Sequence, residues 1–109
     1  MTASYRITED AKRDLRDIAH HIALDSLRSA ERFMERVGES FEMLADMPGM
    51  GAAHRFSRST LKGTRRFPVK QFNDYLIFYR AIDGEVSIEI IRVVHGARDL
   101  PTLFNDQEE

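Results

Sequence analysis

The sequence predicts an α+β fold with the element order β-α-α-β-β-β: a helical hairpin packed on one face of a small, mostly antiparallel sheet. Apolar residues in the first half recur at helical spacing in two blocks. Those in the second half form short runs rich in β-branched and aromatic residues, as strands do. The links are short and carry turn residues, so chain neighbours become antiparallel neighbours in a layered structure.

Ser4 to Ile7 reads as a short first strand. Thr8 then has the chemistry of a helix N-cap, with Glu9 and Asp10 in the first turn, where the helix dipole favours anions. Ala11, Leu15, Ile18, Ala19, Ile22 and Ala23 make the apolar stripe of that helix. A break falls near Asp25-Ser26, and Ser26 can cap a second helix with the stripe Ala30, Phe33, Met34, Val37, Phe41, Leu44 and Ala45. The segment 46–51 ends it, because Pro48 cannot continue the hydrogen-bond ladder. Thr64 to Lys70 reads as a strand, with Pro68 marking an edge or a bulge. Tyr75 to Ile82 and Val86 to Val94 are the last two strands, turned by Asp83-Gly84. Ala97 to Phe104 is expected to hold one short helical turn, and 105–109 a frayed acidic tail.

At 109 residues, 42% hydrophobic and 31% charged, residues 1–109 are expected to form a single domain. Cysteine is absent, which removes disulfides and thiolate metal sites and fits a reducing, cytoplasmic setting. The N-terminus lacks the apolar stretch of a signal peptide, and no run is long enough to span a bilayer. The net charge of −2 argues against bulk nucleic-acid binding. The distribution of charge is uneven: from Gly51 to Lys70 there are six basic residues (Arg55, Arg58, Lys62, Arg65, Arg66, Lys70) and no acidic one. Thirteen of the sixteen basic residues are arginine, the side chain suited to gripping carboxylates and phosphates by two parallel bonds.

The last two strands carry more apolar surface than one sheet face can hold. Tyr75, Leu76, Ile77, Phe78 and Tyr79 are consecutive. In the final strand Ile88, Ile90 and Val94 share one parity, and Ile91 and Val93 the other. Two helices can cover only one face. Either the 50–62 loop and the C-terminal segment cover the second, or another chain completes a groove there. The long segment from Pro48 to Gly63, with no period of its own, favours the second reading.

No phosphate loop, nucleophile elbow or metal-ligand spacing is present, so no cofactor is expected. His20 and His21 are adjacent, about 100° apart on a helix, and cannot chelate as an i, i+4 pair would. Lys70, Arg80, Arg92, His95 and Arg98 are the set that could carry chemistry. Cleavage of RNA through its 2′-hydroxyl needs proton transfer, which His95 could supply, and cations to hold the phosphate. In a regular strand, however, Arg92 and His95 point to opposite faces, and a structural role for His95 at the strand end competes with the catalytic one.

Tyr5-Arg6-Ile7-Thr8, Asp14-Leu15 with Asp17-Ile18, Arg32-Phe33, Leu61-Lys62-Gly63-Thr64-Arg65, Phe78-Tyr79-Arg80 and the block from Ile91 to Leu100 together resemble the ParE family of the RelE/ParE toxin superfamily. The resemblance covers residues 4–103, and its most specific part is the order Arg92, His95, Gly96, Arg98-Asp99. It implies a toxin of a type II ParDE-like toxin–antitoxin pair that inhibits DNA gyrase and has no catalysis of its own. It also implies a ParD-like antitoxin that wraps the toxin and alone contacts DNA. Arg65, Arg66, Arg80, Arg92, Arg98 and Tyr79 are then the residues expected to bind antitoxin or target. The RelE branch of the superfamily cleaves mRNA on the ribosome; here Pro68, Leu76 and Leu103 or Phe104 fall where its lysine, arginine and tyrosine would be, and Lys70 matches another of its lysines. A ribonuclease would have to work with His95, Arg80, Lys70 and Arg98. A non-toxic member of the family is the remaining alternative.

Overall fold

The computed structural model describes residues 4–56, 61–84 and 86–104. Strand β1 (Tyr5–Ile7) leads into helix α1 (Glu9–Ala23), and a tight turn into helix α2 (Leu27–Asp46). A 3-10 turn (Pro48–Met50) leads to the short strand β2 (Ala52–Ala53). Strands β3 (Arg65–Val69), β4 (Phe72–Ala81) and β5 (Ile88–His95) follow, and the four-residue helix α3 (Leu100–Leu103). The sheet order is β1-β5-β4-β3-β2, antiparallel except for the parallel β1–β5 pair.

Both expected helix caps form. The Thr8 hydroxyl oxygen accepts the Ala11 N–H at 3.1 Å, and that of Ser26 accepts the Ser29 N–H at 3.1 Å. The two helices lie on one sheet face over a core that includes Leu15, Phe33, Val37, Phe41, Leu44, Ile77, Tyr79, Ile88, Ile90 and Val93. Pro68 acts as its chemistry requires: the β3–β4 register breaks between Pro68 and Val69, beyond the reach of β2. Strand β2 was not expected: it consists of two exposed alanines that pair with Arg65 and Arg66.

Strand β5 departs from simple alternation. Phe78 pairs with Arg92 and Tyr79 with Ile90, so Ile91 is an extra residue. This bulge turns Val93, not Val94, to the helix side with Ile88 and Ile90, and corrects the parity expected of a regular strand. It also leaves Arg92 and Val94 on the far face.

That far face corrects a second expectation. The groove expected to be filled by another chain is closed by the protein's own chain. Phe56 and Leu61 from the 50–62 loop and Leu100, Leu103 and Phe104 from the C-terminal segment pack on Leu76, Phe78, Ile91 and Val94. The rings of Phe56 and Phe78 lie 4.9 Å from Phe104 by centroid. The long loop thus becomes a cover because two of its apolar side chains, Phe56 and Leu61, reach the sheet. The acidic tail 105–109, Arg58 and the tip of that loop lie outside the described residues.

One carboxylate ties the layers together. β1 pairs with β5 only as far as Ile90. Beyond it, the Thr8 hydroxyl donates to the Ile91 carbonyl at 2.9 Å, and Asp14 of α1 accepts the Val93 N–H at 3.0 Å. Asp14 also takes two parallel bonds from Arg92, at 2.7 and 2.8 Å. These bonds outweigh the burial of the Arg92 guanidinium and hold its pKa above its ordinary value, so it stays charged. Its Cζ lies 6.0 Å from the Phe104 ring centroid. Exposed pairs such as Lys12–Glu9 and Arg13–Asp10 contribute roughly 0–1 kcal/mol. Asp14 and Arg92 are only 13% and 20% exposed, so loss of one strands the other. Asp14→Ala is expected to cost about 3 kcal/mol or more, read as a lower midpoint in denaturant unfolding, whereas Asp10→Ala should change it by less than about 1 kcal/mol.

Candidate functional site

The residues that the sequence singles out fall into three environments. Tyr79 is wholly buried on the helix side of the sheet. Its hydroxyl donates to the Pro48 carbonyl and accepts the Gly51 N–H, both at 2.8 Å. Gly51 is close to this ring by necessity, since a Cβ there would meet the Tyr79 hydroxyl and come within 2.8 Å of the Arg66 carbonyl. Arg65, paired with Tyr79 in the sheet, donates to the Gly51 carbonyl at 2.7 Å. Tyr79 therefore presents no surface to a partner; it pins the turn at 48–51 that places β2.

The second environment is the polar part of the far sheet face. Arg80 and Arg6 both grip Glu89, at 3.1 and 2.9 Å, so that one carboxylate sits between two guanidinium groups. Arg66 donates to His54 Nδ1 at 3.1 Å, which makes that nitrogen the acceptor, and remains exposed. Arg92 is turned inward to Asp14. Arg98 is exposed beside the turn after β5, with its backbone N–H on the His95 carbonyl.

The third holds the remaining nuclease candidates. His95 pairs with Tyr75 near the start of β4, and its Nδ1 accepts the Ala97 N–H at 3.0 Å, closing the turn that leads to Arg98. Lys70 is exposed in the β3–β4 turn, 3.9 Å from Glu39. Arg80 lies five residues along β4 from Tyr75, about 17 Å at the rise of a strand, and on the opposite face. The fold thus leaves Arg80 away from the end of the sheet where His95 and Arg98 lie. Among the described residues no group of three His, Asp or Glu could hold a metal, and no helix is long and apolar enough to cross a membrane.

Two further features were not singled out from the sequence. The outer seam of the helical hairpin is a trough of about 650 Å³ between α1 (Ala19, His20, Ala23) and α2 (Leu27, Ala30, Glu31, Met34, Glu35). It runs on past Leu15, Arg16 and Lys12. Leu27 is 68% exposed and Met34 41%, although Met34 belongs to the apolar stripe of α2. The width of the two stripes was the available signal: each has more apolar residues than the core side of its helix needs. The second feature is a cleft of about 310 Å³ where the chain segments 53–56 and 62–65 separate.

The fold and these surfaces define a small α+β protein with an apolar seam along its helical hairpin and a cationic cleft beside its sheet. A model of the family described as the ParE toxin of the type II toxin-antitoxin system parDE matches residues 5–100, and the chain belongs to that family. No curated protein gives a significant match. A solved chain of the chromosomal ParDE TA system from P. aeruginosa has the same fold, with a TM-score of 0.65 and 21% identity over 86% of this chain and 96% of that one.

Burial raises the pKa of the Tyr79 phenol, against the opposing effects of the Gly51 N–H and the Arg65 charge. A phenol that ionises less readily when folded leaves stability intact below its unfolded value of about 10 and removes it as pH rises above that value. Stability is thus expected to fall above pH 10, and Tyr79→Phe, which orphans the Gly51 N–H, to cost about 1–3 kcal/mol at pH 7 while flattening that alkaline loss. Unfolding curves at pH 7 and pH 10.5 check both.

Proposed function

We propose that this chain is the toxin of a ParDE-like pair that acts by binding in the cytoplasm, with DNA gyrase as its target and a ParD-like antitoxin as its inhibitor. The observation that carries the reading is the hairpin trough. Both sheet faces are already covered, yet Leu27 and Met34 remain in water on a concave apolar seam. A seam between two helices is shaped to receive a third. Its walls are also marked by charge: Lys12 and Arg16 on the α1 side, Glu31 and Glu35 on the α2 side. An amphipathic antitoxin helix with acidic residues along one edge would be held in one orientation. Arg66, Arg80 and Arg98, all on the surface, offer further contacts to antitoxin or target, and DNA would be contacted through the antitoxin alone.

The gyrase target rests on family membership, and so does action without catalysis; the position of Arg80, on the sheet face opposite to His95, supports it. Expression of the chain alone is expected to stop growth, filament cells and leave gyrase-linked breaks in the chromosome. Arrest with gyrase supercoiling intact and new mRNA ends appearing would overturn this reading in favour of ribonuclease action. The paired substitution Leu27→Glu and Met34→Glu, at exposed positions, should leave the fold intact. It should weaken antitoxin binding at least a hundredfold, since each side chain contributes about 1.5–3 kcal/mol when buried. Titration calorimetry with the antitoxin measures the loss.

A further inference from the structure

The cleft between segments 53–56 and 62–65 has a composition that the hairpin trough lacks. Arg55, Lys62 and Arg65 line it together with His54, Phe56 and Thr64. Among the described residues no acidic side chain lines it, and the sequence carries none from Met47 to Asn73. Arg55 and Lys62 are exposed and have no ion-pair partner among the described residues. Arg65 has one arm fixed by the Gly51 carbonyl at 2.7 Å, which holds its guanidinium in place without neutralising it.

The cleft arises because the β2–β3 pairing ends. The His54 N–H bonds the Thr64 carbonyl at 3.0 Å, and past that bond the two segments diverge. Phe56 is anchored on the far sheet face by Phe78 and Phe104, and His54 packs on Phe56 at 4.5 Å. These rings give the cleft a partly apolar wall beside its cations.

We propose that this cleft binds carboxylates of an acidic protein segment, seated among Arg55, Lys62 and Arg65. The inference deepens the toxin–antitoxin reading and rests on it for the presence of a protein partner; it assigns a second, electrostatic contact separate from the hairpin trough. A protein carboxylate suits the site better than nucleic acid for two reasons. A volume of about 310 Å³ admits one or two side chains, not a track of successive phosphates. The rest of the surface also carries more acid than base, leaving the whole chain at −2, which repels a long polyanion. Several cations round one partly enclosed anion act together and bind more strongly than scattered surface pairs.

The test uses the full chain and an acetylated, amidated octapeptide of alternating glutamate and serine, followed by amide chemical shifts. Shifts are expected at Ala53, Arg55, Lys62 and Thr64, with none at Ala19 or Met34. Arg55→Gln with Lys62→Gln should weaken binding at least tenfold at unchanged circular dichroism, and the glutamine–serine peptide should not bind. Raising salt from about 0.05 to 0.2 M should weaken it several-fold. Equal binding of the glutamine peptide, shifts confined to the hairpin, or tighter occupation of the cleft by a short DNA duplex would each overturn the proposal. So would a tenfold gain in peptide affinity on removing residues 105–109, because the chain's own Asp106, Glu108 and Glu109 would then be the occupants. Growth arrest on expression is read separately, so a chain that arrests growth but ignores the peptide refutes the cleft alone.

Discussion

The structure depends on how the outward edge of β5 is completed after β1 stops. A sheet strand cannot leave an N–H or carbonyl buried without a partner. β1 serves β5 for three residues, the Thr8 hydroxyl serves Ile91, and Asp14 serves Val93. The same carboxylate holds Arg92, which reaches it from the far side of the sheet and lies against Phe104. One acidic side chain on the first helix therefore connects the helical layer, the sheet edge and the C-terminal cover. The Ile91 bulge is what makes this possible, since it turns Val93 to the helices and Arg92 to the far face.

The consequence for function is a change in where partners can act. With Phe56, Leu61, Leu100, Leu103 and Phe104 over the second sheet face, the apolar surplus of the last two strands is used within the chain. The surfaces we propose for another protein are the outside of the helical hairpin and the cationic cleft, with Arg66, Arg80 and Arg98 as further contacts. The first is apolar and suits a helix; the second is charged and suits carboxylates. An antitoxin with an acidic amphipathic segment could use both, gaining affinity from the apolar seam and orientation from the charges.

Much of the fold was legible because it follows from period and capping. Thr8 and Ser26 cap where their chemistry says, the helical stripes find the core, and Pro68 marks the register break. The site was less legible. An arginine in a list of arginines does not say whether it is free: Arg92 is held by Asp14, Arg80 shares Glu89 with Arg6, and Arg66 rests on His54. These contacts join residues 9 to 83 positions apart, and each depends on strand register that local sequence does not carry. Tyr79 illustrates the same limit, since a tyrosine that looks suited to an interface is spent inside on Pro48 and Gly51. The pairing of β2 and the Ile91 bulge left no local trace at all, because two alanines and one isoleucine are compatible with many conformations.

The central physical claim is that the isolated chain closes both faces of its own sheet and that Asp14 locks the closure. Ring-proton cross-relaxation in the isolated, antitoxin-free protein addresses it directly. Contacts between the Phe104 ring and those of Phe56 and Phe78 are expected in the native chain and are expected to fade in Asp14→Ala under conditions where the variant is still folded. A Phe104 ring with free-chain shifts and no such contacts in the native protein would mean that the far face is open, and that a partner, not this chain, completes the fold.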